Sequence, residues 1–108
     1  MLLGFFDLKP GVTEAAFHDA YAAFGAHLVE TGYATGWASA ARSPHDGYDV
    51  APPRQHMLTE VRFSDRRQAL AAWDYIASRA PAVSRLHDAV TCKVANADFT
   101  LYEIGKEG

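Results

Sequence analysis

The sequence predicts a single α+β domain over residues 1–108: a four-stranded antiparallel sheet with its helices on one face, in the order βαββαβ. Three observations lead there. Residues 54–76 (RQHMLTEVRFSDRRQALAAWDYI) run strand, stop, helix cap and helix without a break. A nearly continuous apolar run at residues 2–8 precedes a long helical stripe. A last alternating segment, DFTLYEI at residues 98–104, closes the chain.

The first run, LLGFFDL, is short and rich in phenylalanine, which favours a strand covered on both faces. Lys9-Pro10-Gly11 ends it, because Pro10 has no amide to donate and Gly11 accepts unusual backbone angles. Thr13 is a good N-cap, and Glu14 sits where the helix dipole favours an anion. Phe17, Tyr21, Phe24 and Leu28 then fall on one face of a helix over residues 14–31, with Gly32 as its C′ residue. Residues 33–41 (YATGWASAA) are expected to form a strand with Trp37, Ser39 and Ala41 on one face. Residues 43–54 (SPHDGYDVAPPR) are the one long loop, marked by Asp46-Gly47 and Pro52-Pro53.

In the central segment, Met57, Thr59, Val61 and Phe63 alternate with His56, Leu58, Glu60 and Arg62, the period of a pleated strand. Ser64-Asp65 supplies the next cap, and Leu70, Trp73, Ile76 and Ala77 follow at helical spacing. Ala80-Pro81 breaks that helix, and Pro81 can open another carrying Val83, Leu86 and Val90. Residues 91–97 read as a connector before the last strand, which puts Phe99 and Leu101 opposite Thr100, Tyr102 and Ile104.

This order is the ferredoxin-like plan. It leaves one sheet face without helices, and that face carries Leu3, Phe5 and Leu58. Such a surface is too apolar for water and is expected to find a partner, most simply a second copy across a two-fold axis.

Length, composition and charge narrow the partners. A chain of 108 residues with 49% hydrophobic content supports one core without staples. The net charge of -3 and the lack of a basic run argue against nucleic acid. No stretch approaches the ~18 apolar residues of a membrane span, and the first ten residues lack a basic n-region and an unbroken h-region. The expectation is a soluble, cytoplasmic protein. Cys92 is the only cysteine, which excludes an internal disulfide and a cysteine-rich zinc site.

The strand ending Leu8-Lys9-Pro10-Gly11, the helix with Phe17, and Phe63-Ser64-Asp65 before a helix carrying Trp73 together resemble the dimeric α/β-barrel superfamily. That group includes antibiotic-biosynthesis monooxygenase-like proteins and several small families of unknown function. The closing Asp98-Phe99-Thr100-Leu101-Tyr102-Glu103 is similar to one of those dimeric ferredoxin-like families. The resemblance spans nearly the whole chain and implies a homodimer joined through the sheet face, forming a barrel. Its motifs mark strand ends and caps, and no catalytic set carries over residue by residue. Members include cofactor-free monooxygenases, isomerases, haem enzymes and proteins of no known activity, so fold alone does not choose a reaction.

Among residues that could carry chemistry, His56, Glu60 and Arg62 share a strand face. As a catalytic set, His56 would act as base or orienter and Arg62 would hold an anionic substrate oxygen, since its planar fork suits carboxylates. As structure, Glu60 and Arg62 would be an interface ion pair with His56 near the strand entrance. Trp37 and Tyr102 are candidate walls of a pocket for a small apolar or anionic ligand, or ordinary packing. His45, Asp46 and Asp49 share the long loop, where a turn outweighs a cation site, and no metal is expected. Ser39 and Cys92 lie in no nucleophile signature. No phosphate loop or dinucleotide fingerprint occurs, so no cofactor is expected, although one axial histidine for haem would leave no spacing signal. Two readings remain: a small-molecule enzyme of cofactor-free monooxygenase or isomerase type, or a non-catalytic small-ligand binder or structural dimeric module.

Overall fold

The computed structural model describes residues 1–48 and 55–108. Its elements run β1 (Leu2–Leu8), α1 (Glu14–Glu30), β2 (Gly36–Ala41), β3 (Met57–Arg62), α2 (Arg66–Ala77), α3 (Pro81–Thr91) and β4 (Val94–Leu101). The sheet order is β2-β3-β1-β4, with every neighbouring pair antiparallel. This is the expected ferredoxin-like arrangement, with its second helical segment split in two before Pro81.

Local chemistry sets the boundaries. The Thr13 side chain accepts the Ala16 amide at the start of α1. Gly32, at φ 82°, takes the left-handed turn after its end. At α2 the Asp65 carboxylate accepts the Gln68 amide at 2.8 Å, and Gln68 Oε1 accepts the Ser64 amide at 2.7 Å. This reciprocal arrangement is close to a capping box. Pro81 occupies the first turn of α3, where its missing N–H has no intrahelical partner to lose.

The core lies between the sheet and the helices. Phe17, Tyr21, Phe24 and Leu28 of α1 and Val83 and Val90 of α3 pack on Phe6, Met57, Val61 and Val94. The pleat of β3 sorts its residues as the alternation requires. Met57, Thr59 and Val61 are buried under the helices, whereas Leu58 and Glu60 are partly open and Arg62 is exposed. Gly25 of α1 lets the helix approach β2, because a Cβ there would lie 2.5 Å from Trp37 Cγ.

The structure corrects two expectations. First, β4 begins at Val94, within the segment read as a connector. Val94 and Ala95 pair with Leu8 and Asp7, and the register then slips between Phe5 and Asp7. Asn96 stands there at φ 53° and donates to the Asp7 carboxylate at 2.9 Å. The bulge breaks the alternation, so period two does not show across residues 94–97. Second, the apolar residues of α2 do not all turn inward. Ala69 and Ala72 are buried, while Leu70 is 49% and Trp73 68% exposed. Ala69 and Ala72 seat α2, with Tyr75 and Ile76 partly buried against the core, while Leu70 and Trp73 face out.

Tyr21 is the core's most buried titratable group. Its hydroxyl donates to the Glu60 carbonyl at 3.5 Å. Burial pushes its pKa up to about 12, the Glu60 charge adds to the rise, and a hydrogen bond with Thr59 opposes it. The neutral phenol is therefore favoured in the folded chain. Between pH 10 and about 12 the unfolded chain loses this proton while the folded chain keeps it. The contribution of Tyr21 is thus full below pH 10 and lost as pH rises through about 12.

Two outcomes follow from this packing. Gly25→Ala should destabilise the protein by ~1–2 kcal/mol in urea unfolding, since overpacking against the root of the Trp37 side chain outweighs the gain in helix propensity. An unchanged or raised midpoint would contradict the close approach. Tyr21→Phe should make the alkaline fall in stability less steep than in the wild type, and an identical slope would place the titrating group elsewhere.

Candidate functional site on the open sheet face

The face of the sheet opposite the helices is built by register. On it, Leu58 of β3 lies between Phe5 of β1 and Ala40 of β2, and Glu60 lies between Leu3 and Ala38. Arg62 stands beside Gly36, where a Cβ would come within 2.7 Å of the guanidinium. The small β2 residues leave the longer β3 side chains room to lie across the sheet.

Glu60 and Arg62 occupy this side of β3, His56 stands at the strand's entrance, and the structure divides the three between two pairs. Arg62 Nε lies 3.3 Å from Glu60 Oε1. His56 Nε2 lies 2.5 Å from Glu14 Oε1, at the start of α1. His56 precedes β3, at its entrance. Six residues of extended chain separate it from Arg62, about 20 Å at the usual rise. The two therefore do not converge on one small ligand within a single chain.

Beside His56 the open face dips. Phe5, Ala40, Arg42, Gln55, His56 and Leu58 line a depression of about 210 Å³. Its floor is apolar and its rim is polar. Gln55 reaches across to the far edge, donating to the Asn96 carbonyl at 3.1 Å and the Asp98 carboxylate at 2.6 Å. Through its Nε2 contact with Glu14, His56 forms an imidazole–carboxylate dyad at this rim. A carboxylate in that position orients an imidazole.

Trp37 and Tyr102 do not share a pocket. Trp37 turns to the helix side of edge strand β2, against Gly25 and edge-to-face with Tyr21 at 6.2 Å. Tyr102 follows β4 at the opposite edge, where its amide donates to the Met1 carbonyl at 2.7 Å. It lines a separate cleft of about 500 Å³ with Met1, Phe63, Asp65, Ala69 and Ile104.

Two hydrogen bonds and two ring contacts on the helix side were not legible from spacing. His18 Nδ1 lies 2.7 Å from Ser39 Oγ, and His27 Nε2 lies 2.7 Å from the Tyr75 hydroxyl. Tyr75 in turn stacks on Tyr33 at 4.2 Å. His87 packs near Phe24, with ring centres 5.6 Å apart. Burial lowers its pKa, Arg79 adds to the fall and Asp88 opposes it. These histidines are partly buried rather than freely solvated, and only the tertiary fold supplies their partners. His45 closes a turn by accepting the Gly47 amide at 2.9 Å. Asp49, its proposed co-ligand, lies outside the described residues. No group of three or more His, Cys, Asp or Glu among the described residues is placed to hold a metal ion. No described helix is long and apolar enough to cross a membrane.

Comparison with known proteins agrees with this architecture. No match was found among curated proteins. An Arabidopsis thaliana protein, At3g17210, superposes with a TM-score of 0.72 at 10% identity, over 99% of this chain and 96% of that one. A dimeric ferredoxin-like protein of unknown function from Thermobifida fusca gives 0.64 at 11% identity, over 95% and 88%. A dimeric protein of unknown function and ferredoxin-like fold from Bacteroides fragilis gives 0.59 at 9% identity, over 95% and 93%. At such identities the likeness concerns the fold. At the level of sequence, the chain belongs to the family of unknown function DUF6614, whose family model matches residues 2–104.

Proposed function

We propose that the chain acts as a homodimer joined through its open sheet faces, and that the enclosed space binds a small organic molecule beside His56. The observation that carries this reading is the apolar depression on the helix-free face, with the His56–Glu14 dyad at its rim. A second copy of the face would shield Leu3, Phe5 and Leu58 from water and turn an open dip into an enclosed site. Two structural neighbours are described as dimeric, which supports the assembly.

In an enclosed site the dyad has the parts of a general base. Glu14 engages Nε2, and Nδ1 has no other partner among the described residues. A base so placed would take a proton from a carbon or hydroxyl acid, the opening step for an isomerase or for a cofactor-free monooxygenase. The sequence resemblance to monooxygenase-like proteins of the dimeric barrel superfamily is compatible with that chemistry. Cytoplasmic location stays part of this proposal.

The Glu60–Arg62 pair favours a second reading for that end of the face. With its charge already met by Glu60 at 3.3 Å, Arg62 would set the register of two facing sheets, and the protein would bind a ligand without chemistry or serve as a structural dimer.

Dimerisation is tested by Leu58→Glu, which would bring carboxylates together across the two-fold axis. Analytical ultracentrifugation should then show the mass of the sheet-joined unit halved with the circular dichroism spectrum retained. An unchanged mass would reject the face as an interface. The site is tested by NMR titration with small aromatic carboxylates such as benzoate and salicylate. Shifts should centre on His56 and Leu58 and weaken about tenfold in His56→Ala, the scale of a charge-assisted hydrogen bond. If neither His56→Ala nor Arg62→Ala alters the binding, the residues proposed here do not form the site.

A further inference from the structure

The outer face of α2 remains unexplained by the sheet-face dimer. It carries Leu70 and Trp73, 49% and 68% exposed, on a helix that is seated by Ala69 and Ala72 on its other side. Arg66, Arg67 and Asp74 are exposed on the same outer surface. No opposite charge stands three or four residues from any of them, so the usual pairing along a helix is closed to these side chains. They take part in no ion pair among the described residues.

We propose that this face of α2 binds the α2 of a second copy of the chain, antiparallel, about a two-fold axis at Leu70. The charge pattern selects this partner because it is complementary to itself. In an antiparallel pair centred on residue 70, position 66 faces position 74 and position 67 faces position 73. Arg66 then meets the partner's Asp74, and the partner's Arg66 meets Asp74, so the contact is made twice by symmetry. Arg67 lies over the indole of the partner's Trp73, the preferred ring for a stacked guanidinium. The two Leu70 side chains meet on the axis. A parallel pairing in register would instead set Arg66 on Arg66 and Asp74 on Asp74.

The interface lies on the helix side of the domain, away from the sheet face, so it is distinct from the dimer proposed above and would join such dimers to one another. One pair of twelve-residue helices buries little area, which places the contact among weak, concentration-dependent interfaces.

Sedimentation equilibrium over a range of protein concentrations, on the full chain, tests the inference. The wild type should gain mass with concentration towards twice that of Trp73→Glu under the same conditions. Arg66→Asp and Asp74→Arg should each lose the gain, and the double variant Arg66→Asp/Asp74→Arg should recover it. That recovery distinguishes pairing across the axis from a general loss of apolar surface, and the three positions changed, Arg66, Trp73 and Asp74, are exposed, so folding is spared. Leu58→Glu separates the two interfaces: it should remove the sheet contact and leave the contact sensitive to Trp73→Glu. If Trp73→Glu and Arg66→Asp both sediment as the wild type does, the α2 contact is overturned while the sheet-face reading stands.

Discussion

The structure depends on the pleat of β3. Successive residues point to opposite faces, so a single phase decides which side chains meet the helices and which do not. Met57, Thr59 and Val61 receive the aromatic stripe of α1, and Leu58, Glu60 and Arg62 are left on the other side. A shift of one residue would bury Glu60 and Arg62 under Phe17 and Tyr21, at the cost of desolvating two charges. The same phase that builds the core therefore leaves an apolar, helix-free face with charged residues on it.

Much of this was legible in the sequence because it rests on local chemistry. The alternation of β3, the Thr13 and Asp65 caps, the turn at Gly32 and the break at Pro81 all act within a few residues, and all lie where expected. Features that depend on distant partners were not legible. The bulge at Asn96 is held by Asp7, 89 residues away, and it concealed the first half of β4. In α2, hydrophobic spacing pointed Leu70 and Trp73 inward, yet the side chains buried in the seat are those of Ala69 and Ala72, with Tyr75 and Ile76 packed beside them. Spacing measures amphipathicity and does not say which apolar side chain fits the gap.

The candidate site shows the same division. Alternation placed His56, Glu60 and Arg62 on one face but could not measure the length of strand between them. Nor could it foresee that Glu14, on the preceding helix, would take His56. Trp37 and Tyr102 are both amphipathic aromatics, but they belong to opposite edges of the sheet, a separation fixed by the strand order β2-β3-β1-β4. What emerges is a small apolar depression with one imidazole–carboxylate dyad, and the account rests on a second sheet closing over it.

The most direct test of that closure is an isotope-filtered NOE measurement on mixed labelled and unlabelled chains, which records only contacts between subunits. The account predicts intermolecular signals to the side chains of Leu3, Phe5 and Leu58. A sample that associates but shows no intermolecular signal to these three residues, or a chain that tumbles as a monomer, would contradict it.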